Sequence, residues 1–542
     1  MSLLRPALIS GISLIFVAFF ANYLGLDNDI TWGPRRYLIF VIGIILLNLS
    51  AISKIFTNGL RNFIYPVLEQ LNSKIKISDT KKIALLVISA IGVVFFVYLW
   101  YGFPKHETLD SVYYAKLATA FKQGHLYLDE KPSKALLELK NPFDYNQRVA
   151  FDADDSLFDV SFYDQKFYLY WGPVPGILIM PLGFETLTHF GDQWLVYTFL
   201  CGVMVYSSLI GLQLWQNTNK NIPLWLLPLT LLVIGLSPPL LWILNSPKIY
   251  QAAIMGSQFF FIGGCYWAYR ALKRKQIRAV ELTLSSIHWA LALGTRITVL
   301  PSILLATVIL LIHIYGQAKI YKSITIKYSV IYLGLPTLIA VILLGWYNWQ
   351  RFDSVFESGT SYILTAGNTT ETRSFFSTSH IKENLRNYFY YPVVNQARFP
   401  YIRPTENTFS NERMAGMLYK SPFLFLYSFS IRWMFSKSNG IKEIAEKRIA
   451  LILLGSSLIS LSLILTFYFP TARYAAEFTP SLLLLALINL RQISRTSQRV
   501  PNDHFPFIIL IGVISIIMGI LITIPHEQSQ QVIKLFGSIL EN

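Results

Sequence analysis

Long apolar runs constrain the fold of this chain more than any other feature of its sequence. Only 14% of the 542 residues are charged and 53% are hydrophobic, whereas about 25% of the residues in a soluble domain are charged. The apolar residues occur in runs of about 17–25, the length that crosses roughly 30 Å of hydrocarbon as a helix. The sequence therefore predicts an all-α polytopic membrane protein with about 11–14 transmembrane helices. The candidate spans are residues 7–26, 37–55, 82–102, 172–190, 194–214, 222–245, 250–270, 280–295, 297–315, 328–347, 421–436, 449–469, 472–490 and 505–525.

Two long segments interrupt the apolar pattern, at residues 101–170 and 351–420. Both are too long for simple connectors and lack the composition of a disordered chain, so we expect two large folded external loops. The first apolar run is longer than a signal-peptide core and has no clear cleavage site, which favours a retained membrane anchor. The predicted parts are N-terminal membrane helices with a cytoplasmic connector, a first external loop with the catalytic candidate, central membrane helices, a second external loop, and C-terminal membrane helices with a tail: 1–101, 102–170, 171–350, 351–420 and 421–542.

The net charge of +16 is interpreted as an orientation signal. In a soluble protein it would suggest nucleic-acid binding, but no domain-sized stretch is polar enough to be a soluble basic module. The first long segment holds eight basic and eleven acidic residues, and the second holds eight basic and six acidic residues. The rest of the chain therefore carries +17, and its short basic connectors are expected to face the cytoplasm. The two long segments are then external, and nucleic acid is not a predicted partner.

One conflict arises in this topology. Passing from an external Tyr170 to a cytoplasmic Arg270 requires an odd number of spans, but four candidates lie between them. Either residues 222–245, which Ser237-Pro238-Pro239 interrupts, enter and return, or residues 172–190 lie along the external surface. The sequence does not decide between these alternatives.

Near the beginning of the first long segment lie Thr108, Asp110 and Ser111, which are residue types favoured at helix starts. An ionised Asp beside two tyrosines suits a general base that acts on a hydroxyl group. The alternative is an N-cap of an amphipathic surface helix, and N-caps are far commoner than catalytic bases. One helical face carries Asp110, Tyr113, Tyr114, Leu117 and Phe121.

A short hairpin is predicted around Asp164-Gln165, between residues 158–163 and 166–170. It leads into Trp171-Gly172-Pro173, where the proline suits the entry to a helix. A membrane-interface belt of aromatic residues would explain Tyr168, Tyr170 and Trp171. It does not explain Asp159 and Lys166, because charge is costly at the lipid boundary.

An acidic cluster includes Asp152 and Asp154, whose oxygen atoms are hard ligands of the kind that Mg²⁺ or Mn²⁺ prefers. A divalent cation is therefore possible, although such clusters are more often solvated turns. No Gly-rich phosphate-binding motif is found, so a soluble nucleotide is not an evident substrate.

A late pair, Arg473 and Glu477, lies at i, i+4 near the predicted external end of a span. An intramembrane ion pair is a candidate functional site. It could equally stabilise the helix within the bundle, and the spacing leaves both interpretations open.

Four short motifs together resemble the GT-C superfamily of membrane glycosyltransferases, the class that contains protein O-mannosyltransferases and the aminoarabinose transferase of lipid A. The resemblance spans most of residues 80–490 and is moderately specific only as a set. The motifs are Asp110-x-x-Tyr113-Tyr114, Gly124-His125-Leu126-Tyr127, Tyr168-x-Tyr170-x-Gly172-Pro173-x-Pro175 and Arg473-Tyr474.

The resemblance implies a sugar donor on a polyprenyl phosphate, inversion at the anomeric carbon, and Asp110 as the base for the acceptor hydroxyl. It implies a bacterial inner-membrane protein with its site facing the periplasm, where no nucleotide sugar is available. Membrane lipid and a glycan, lipid or protein acceptor are the expected partners.

Better-known members carry Glu-Lys where this chain has Trp171-Gly172, so another residue must supply the phosphate-binding cation. Lys166 is the first choice and Arg473 the second. Asp159 is the expected second carboxylate, and the expected substrate-binding residues are Tyr113, Tyr114, Lys166, Tyr168, Tyr170, Arg473 and Tyr474.

Two other classes stay open. A transporter or flippase for lipid-linked saccharides would typically show inverted repeats and midplane charges, whereas this chain has no convincing repeat and concentrates acidic charge in its long loops. A ligase or polymerase of lipid-linked glycans would depend on an Arg or His in the late loop and would tolerate Asp110→Asn.

Overall fold

The computed structural model is mostly helical and carries two small antiparallel sheets of three strands each. All six strands lie in the two long segments between the apolar runs, so the expectation of an all-α chain is wrong there. Contacts divide the chain into two compact units, which comprise residues 1–104, 204–245 and 378–542, and residues 105–203 and 246–377. The structure describes residues 13–21, 36, 39, 40, 43, 79–102, 111–153, 157–215, 225–321, 326–365, 375–407, 412–424, 431–436, 440–496 and 505–540.

Helices make up most of the described chain. The helices are α1 (Asp79–Gly102), α2 (Tyr113–Lys122), α3 (Lys134–Glu138), α4 (Tyr145–Ala150), α5 (Val174–Ile179), α6 (Phe184–Thr188), α7 (Asp192–Trp215), α8 (Leu226–Gly235), α9 (Pro238–Asn245), α10 (Ile249–Leu272), α11 (Ala279–Thr295), α12 (Leu300–Tyr321), α13 (Ile326–Phe352), α14 (Ile381–Leu385), α15 (Met417–Lys420), α16 (Ile441–Thr466), α17 (Thr479–Thr496), α18 (Phe505–Thr523) and α19 (His526–Leu540). The strands are β1 (Val160–Tyr163), β2 (Lys166–Tyr168), β3 (Ile363–Leu364), β4 (Val393–Asn395), β5 (Ile402–Glu406) and β6 (Arg413–Met414).

Several of these helices are long and apolar enough to cross a membrane, which identifies an integral membrane protein. A further pair, Phe507–Thr523 and His526–Lys534, is bent by 109° and would add a seventh span if it counts as one. The predicted number of 11–14 spans stays a prediction. The runs at 7–26, 37–55 and 421–436 lie partly outside the described residues, and the helices at 250–270, 280–295 and 472–490 do not meet the criteria of length and hydropathy for a span. The six helices that qualify in the described part of the chain are Lys81–Gly102, Asp192–Trp215, Leu226–Asn245, Ile297–Ala318, Lys327–Phe352 and Ile441–Thr466.

The predicted span at residues 172–190 is wrong. This segment forms the two short helices α5 and α6, and neither is long enough to cross a membrane. Proline is tolerated in the first turn of α5, but Pro181 follows its last turn and lacks the amide that a continuing helix needs. Without this span, three candidate runs separate Tyr170 from Arg270, and two of them, Asp192–Trp215 and Leu226–Asn245, qualify as membrane spans.

The predicted hairpin is confirmed. Strands β1 and β2 pair antiparallel, with Ser161 opposite Tyr168 and Tyr163 opposite Lys166. Asp164 and Gln165 form the two-residue turn with φ values of 47° and 56°, and positive φ at both central residues is typical of the tight turns that join hairpin strands. Strand β3, from the second long segment, pairs with β1 on its other side.

Helix α11 packs against both α10 and α13 in the unit that contains this hairpin. Trp289 of α11 is fully buried and donates its indole N–H to the Phe261 carbonyl at 3.2 Å. A Cβ atom at Gly264 would lie 2.3 Å from that indole nitrogen, so glycine permits the close approach of α10 and α11. This packing fixes α10, whose first turn carries a residue of the candidate site.

The other unit contains α1, the pair α8 and α9, and all described elements after residue 378. The Tyr98 hydroxyl of α1 donates to the Gly235 carbonyl at the end of α8, at 2.9 Å. Arg491 and Glu446 form a buried ion pair at 2.5 Å between α17 and α16. The predicted C-terminal tail includes helix α19.

Candidate functional site

Two of the predicted site residues, Asp110 and Asp154, lie outside the described residues. The described chain resumes at Ser111, the residue directly after Asp110. The arrangement around Ser111 is therefore the structural information that bears most closely on the proposed base.

A buried carboxylate, Asp192, holds the segment that follows Asp110. The Asp192 carboxylate accepts hydrogen bonds from the Ser111 hydroxyl at 2.5 Å and from the backbone amides of Tyr113 and Tyr114 at 3.1 Å each. The backbone amide of Asp192 donates to the Ser111 carbonyl at 2.8 Å. The Ser111 hydroxyl also accepts from the Ile249 amide at 3.2 Å. Five hydrogen bonds thus join the starts of α2, α7 and α10.

Asp192 acts as the N-cap of α2, although it lies on another helix. Val112 occupies the N-cap position, and its side chain makes no capping hydrogen bond. A carboxylate at this place satisfies amides that have no partner within the helix. The predicted helix face is partly confirmed, because Tyr114 and Leu117 are fully buried while Phe121 is half-buried.

Tyr114 presents a buried hydroxyl for which the described part of the chain provides no hydrogen-bond partner. The Tyr347 hydroxyl of α13 is also buried without a hydrogen-bond partner among the described residues. It interacts electrostatically with Tyr114. Burial raises the pKa of Tyr114 well above its usual value, and the Asp192 charge adds to this effect, while Arg296 opposes it. Tyr114 is therefore a neutral, buried hydrogen-bonding group that interacts with the positive charge of Arg296.

Asp159 lies at the start of β1 in a left-handed conformation, with φ of 57°. Its carboxylate accepts a hydrogen bond from the Tyr250 hydroxyl in the first turn of α10. The Tyr250 ring meets the Trp171 ring edge-on at 5.2 Å, and the Tyr170 ring stacks on Trp171 at 3.8 Å. Backbone conformations of this kind occur at functional sites more often than elsewhere. We call Asp159, Tyr170, Trp171 and Tyr250 the Asp159 cluster.

Tyr113 links the Asp159 cluster to the start of α2. Its hydroxyl donates to the Phe158 carbonyl at 2.8 Å, one residue before Asp159. Burial raises the pKa of Tyr113, and the charges of Asp159 and Asp192 raise it further. The Phe158 hydrogen bond opposes that shift without cancelling it. The residue three positions after Asp110 and the residue just before Asp159 are thus in direct contact.

Lys166 and Tyr168 lie on β2, away from Asp159 along the sheet. Lys166 is opposite Tyr163, four residues after Asp159, which corresponds to about 13 Å of strand. The Lys166 ammonium lies 5.0 Å from the centre of the Tyr127 ring. Tyr168 is buried, and burial raises its pKa. The structure does not place Lys166 beside Asp159.

Arg473 and Tyr474 belong to the other compact unit. The Arg473 guanidinium forms an ion pair with Glu412 and lies 5.3 Å from the Tyr474 ring. Residues Ala472–Glu477 form a 3-10 helix, in which three residues make a turn, so the i, i+4 spacing of Arg473 and Glu477 does not place them on one face. The predicted α-helical pair is wrong in this respect.

The metal hypothesis gains no support from the described residues. Asp152 is exposed, with φ of 52°. Among the residues that the structure describes, no group of three or more His, Cys, Asp or Glu side chains is arranged to hold a metal ion.

Sequence reasoning missed Asp192, Tyr250 and the buried Arg351. Asp192 opens an apolar run, which is a helix-start signal, but nothing local indicates that it caps another helix. Arg351 donates to the carbonyls of Leu169 and Tyr347 at 2.6 and 3.2 Å. It thereby fixes the end of α13 against the chain that follows β2.

No protein-family model matches this chain, and no curated protein matches it significantly. Two solved structures of the oligosaccharyltransferase AglB from the archaeon Archaeoglobus fulgidus show a weak likeness. For the apo form, the TM-score is 0.41 at 11% identity, over 82% of this chain and 57% of that chain. For the complex with an inhibitory peptide and a dolichol-phosphate, the TM-score is 0.39 at 11% identity, over 82% and 56%. This chain thus spans just over half the length of those proteins, and the likeness is too weak to assign a family.

Proposed function

We propose that this protein is an integral membrane glycosyltransferase that moves a sugar from a polyprenyl-phosphate donor to an acceptor hydroxyl. The observation that carries the proposal is a hydrogen bond between Tyr113, three residues after Asp110 in the sequence, and Phe158, immediately before Asp159. Tyr113 makes that contact through Phe158, and Asp192 holds the backbone of Tyr113. The residues that follow Asp110 and the residue that precedes Asp159 therefore meet in one compact unit.

In the proposed reaction, Asp110 removes the proton from the acceptor hydroxyl as that oxygen attacks the anomeric carbon. The bond from this carbon to the donor phosphate breaks on the opposite side, so the configuration inverts and polyprenyl phosphate leaves. A positioned carboxylate base typically contributes a factor of about 10²–10⁴ to the rate. Asp159, which Tyr250 orients, supplies the second carboxylate.

The departing phosphate needs hydrogen-bond donors and positive charge. We propose Tyr170 and Tyr114 for this role from the first loop. Lys166 and Tyr168, which the sequence also suggested, lie on β2 away from Asp159 and are proposed to contact another part of the substrate. Arg473 and Tyr474 are the second choice, since they lie in the other unit. The membrane is proposed to be the bacterial inner membrane, with the site on the periplasmic face. The proposed acceptor is a glycan, a lipid or a protein.

The test compares wild-type protein, Asp110→Asn and Glu138→Gln, each purified as the full chain. The substrate is polyprenyl-phosphate mannose or aminoarabinose with a radiolabelled sugar, and the acceptors are supplied as an envelope fraction. We expect Asp110→Asn to lower transfer about 100-fold or more. Glu138→Gln is the matched control, because Glu138 is an exposed carboxylate of the same loop, and it should keep the wild-type rate.

Near-normal transfer by a folded Asp110→Asn protein would contradict the base assignment and favour a ligase. Movement of intact donor between leaflets without sugar transfer would identify a flippase.

A further inference from the structure

Six aromatic rings in successive contact lie beside the β1–β2 hairpin, and three of them, Phe352, Tyr163 and Tyr362, also contact one another. The rings are 6.5, 5.3, 5.7, 4.8 and 6.1 Å apart from centre to centre along the row. All of them belong to one compact unit. We call this set the aromatic row: in order, Tyr127, Tyr168, Phe352, Tyr163, Tyr362 and Phe143.

Packing of the hydrophobic core explains only part of this row. Tyr168 and Phe352 are 6% and 3% exposed, so they form a buried base. The other four rings are half-buried and reach the surface. Tyr163 and Tyr362, which are adjacent in the row, are contributed by the hairpin and by the second long segment. The half-buried rings of the row thus come from two separate parts of the sequence.

Polar groups of both signs accompany the exposed rings. The Tyr163 hydroxyl donates to the exposed Asp353 carboxylate at 3.1 Å, and this hydrogen bond is the largest cause of the raised pKa of Tyr163. The exposed Asp164 is the next residue in the turn. At the opposite end, the Lys166 ammonium lies over Tyr127. A hydrocarbon tail would have to desolvate these charges at considerable cost.

We propose that the aromatic row binds the sugar rings of an uncharged saccharide. The C–H face of a sugar ring suits the negative face of an aromatic ring, while the sugar hydroxyls suit the carboxylate of Asp353 and the ammonium of Lys166 as acceptor and donor. Charges of both signs match a neutral ligand with many hydroxyl groups better than they match an anion. This inference rests on the proposed function, because it identifies a substrate contact of the same enzyme.

Strand β1 connects Tyr163 of the row to Asp159. Tyr163 ends β1 and Asp159 precedes it, so about 13 Å of strand separates them. A bound saccharide that extends along β1 would therefore bring a terminal sugar to Asp159. The row then selects the substrate and the Asp159 cluster belongs to the reacting end.

Saccharide binding is measured on the full chain in lipid nanodiscs, without any donor, by saturation-transfer difference NMR. The probes are maltotetraose, chitotetraose and mannotetraose, which carry neither lipid nor phosphate. We expect at least one of them to bind saturably to the wild-type protein. Tyr163→Ala should weaken that binding at least 10-fold and Asp353→Ala at least 3-fold. Tyr328→Ala is the control: this tyrosine is 55% exposed on α13, outside the row, and its removal should change nothing.

Asp353→Ala keeps the test decisive if Tyr163→Ala does not fold, because the Asp353 side chain is exposed. Absence of binding for all three tetrasaccharides, or equal binding by wild type and Asp353→Ala, would overturn the proposal.

A lipid-facing row is the competing outcome. Cys201 and Cys265 are replaced by serine. A thiol-reactive spin label is then attached through Thr360→Cys, at an exposed position. Greater accessibility to oxygen than to a water-soluble nickel reagent would place the row in lipid and overturn the proposal. Failure of the proposed function is separate, since it is read from sugar transfer by Asp110→Asn and not from donor-free binding.

Discussion

At the scale of single residues, the decisive feature is a buried carboxylate that serves a neighbouring helix. Asp192 is fully buried and accepts three hydrogen bonds at the start of α2. The sequence predicts a helix start near Ser111, but Ser111 and Asp192 are 81 residues apart. Local patterns carry no information on such a contact. The sequence analysis proposes Tyr113 and Asp159 as candidate site residues. It does not identify Asp192 and Tyr250, which form hydrogen bonds with the Tyr113 amide and the Asp159 carboxylate.

Replacement of Asp192 by asparagine tests this arrangement. The asparagine side chain has one oxygen and one NH2 group in place of the two carboxylate oxygens. Its NH2 group would therefore face the backbone N–H of Tyr113 or Tyr114, so that two donors oppose each other. We expect Asp192→Asn to lower the free energy of unfolding by about 1–3 kcal/mol and to lower sugar transfer. Thermal unfolding and transfer are measured together, with Glu138→Gln as the control. Unchanged values of both would show that the cap is dispensable.

Lys420 provides a second test at the same scale, in the other unit. Burial lowers its pKa from 10.5 to about 7. Between these values the unfolded chain keeps the proton that the folded chain has released, so stability should rise with pH from about 7 to about 10. Each pKa unit corresponds to about 1.4 kcal/mol.

Lys420→Met should therefore raise the unfolding temperature more at pH 6 than at pH 9, because it removes a buried charge. The exposed Lys382→Met is the control and should leave the pH dependence unchanged. An identical slope of unfolding temperature against pH in wild type and Lys420→Met would contradict the burial of this charge.

At the scale of elements, sequence patterns predict local structure well where a specific turn or cap determines it. The β1–β2 hairpin follows from two alternating runs around Asp164-Gln165. The pattern fails at residues 172–190, where apolar length suggested one span and the structure has α5 and α6. Hydropathy predicts that a segment lies in apolar surroundings, but it does not predict where a helix ends. Here Pro181 ends the helix because it lacks a backbone N–H.

Gly172, between β2 and α5, makes a testable close approach. A Cβ atom at this position would lie 2.2 Å from the Gly294 carbonyl oxygen, so the backbones would have to separate. We expect Gly172→Ala to destabilise the protein by about 3 kcal/mol or more, measured as loss of thermal stability and of folded yield. Gly334→Ala is the control, because a Cβ atom there meets nothing within 4 Å, and its effect should stay within about 1 kcal/mol. Similar stability of both variants would disprove the close approach.

At the scale of the whole molecule, composition predicts the membrane environment and charge predicts the orientation. The +17 outside the long segments and the nearly neutral segments themselves favour an external site. The division into two units could not be predicted, because each unit combines distant parts of the sequence. Consequently, the sequence suggested that Arg473 shares a site with Asp110, whereas the structure places Arg473 and the Asp159 cluster in different units.

The central claim is that the protein breaks the bond between sugar and phosphate in a lipid-linked donor. The most direct test uses full-length protein in proteoliposomes with polyprenyl-phosphate mannose or aminoarabinose, labelled with ³H in the sugar and ³²P in the phosphate. Wild-type protein is predicted to release one polyprenyl phosphate for each sugar transferred, and Asp159→Asn is predicted to reduce both products equally. Transfer of sugar and phosphate together, or unchanged release by Asp159→Asn, would contradict the account.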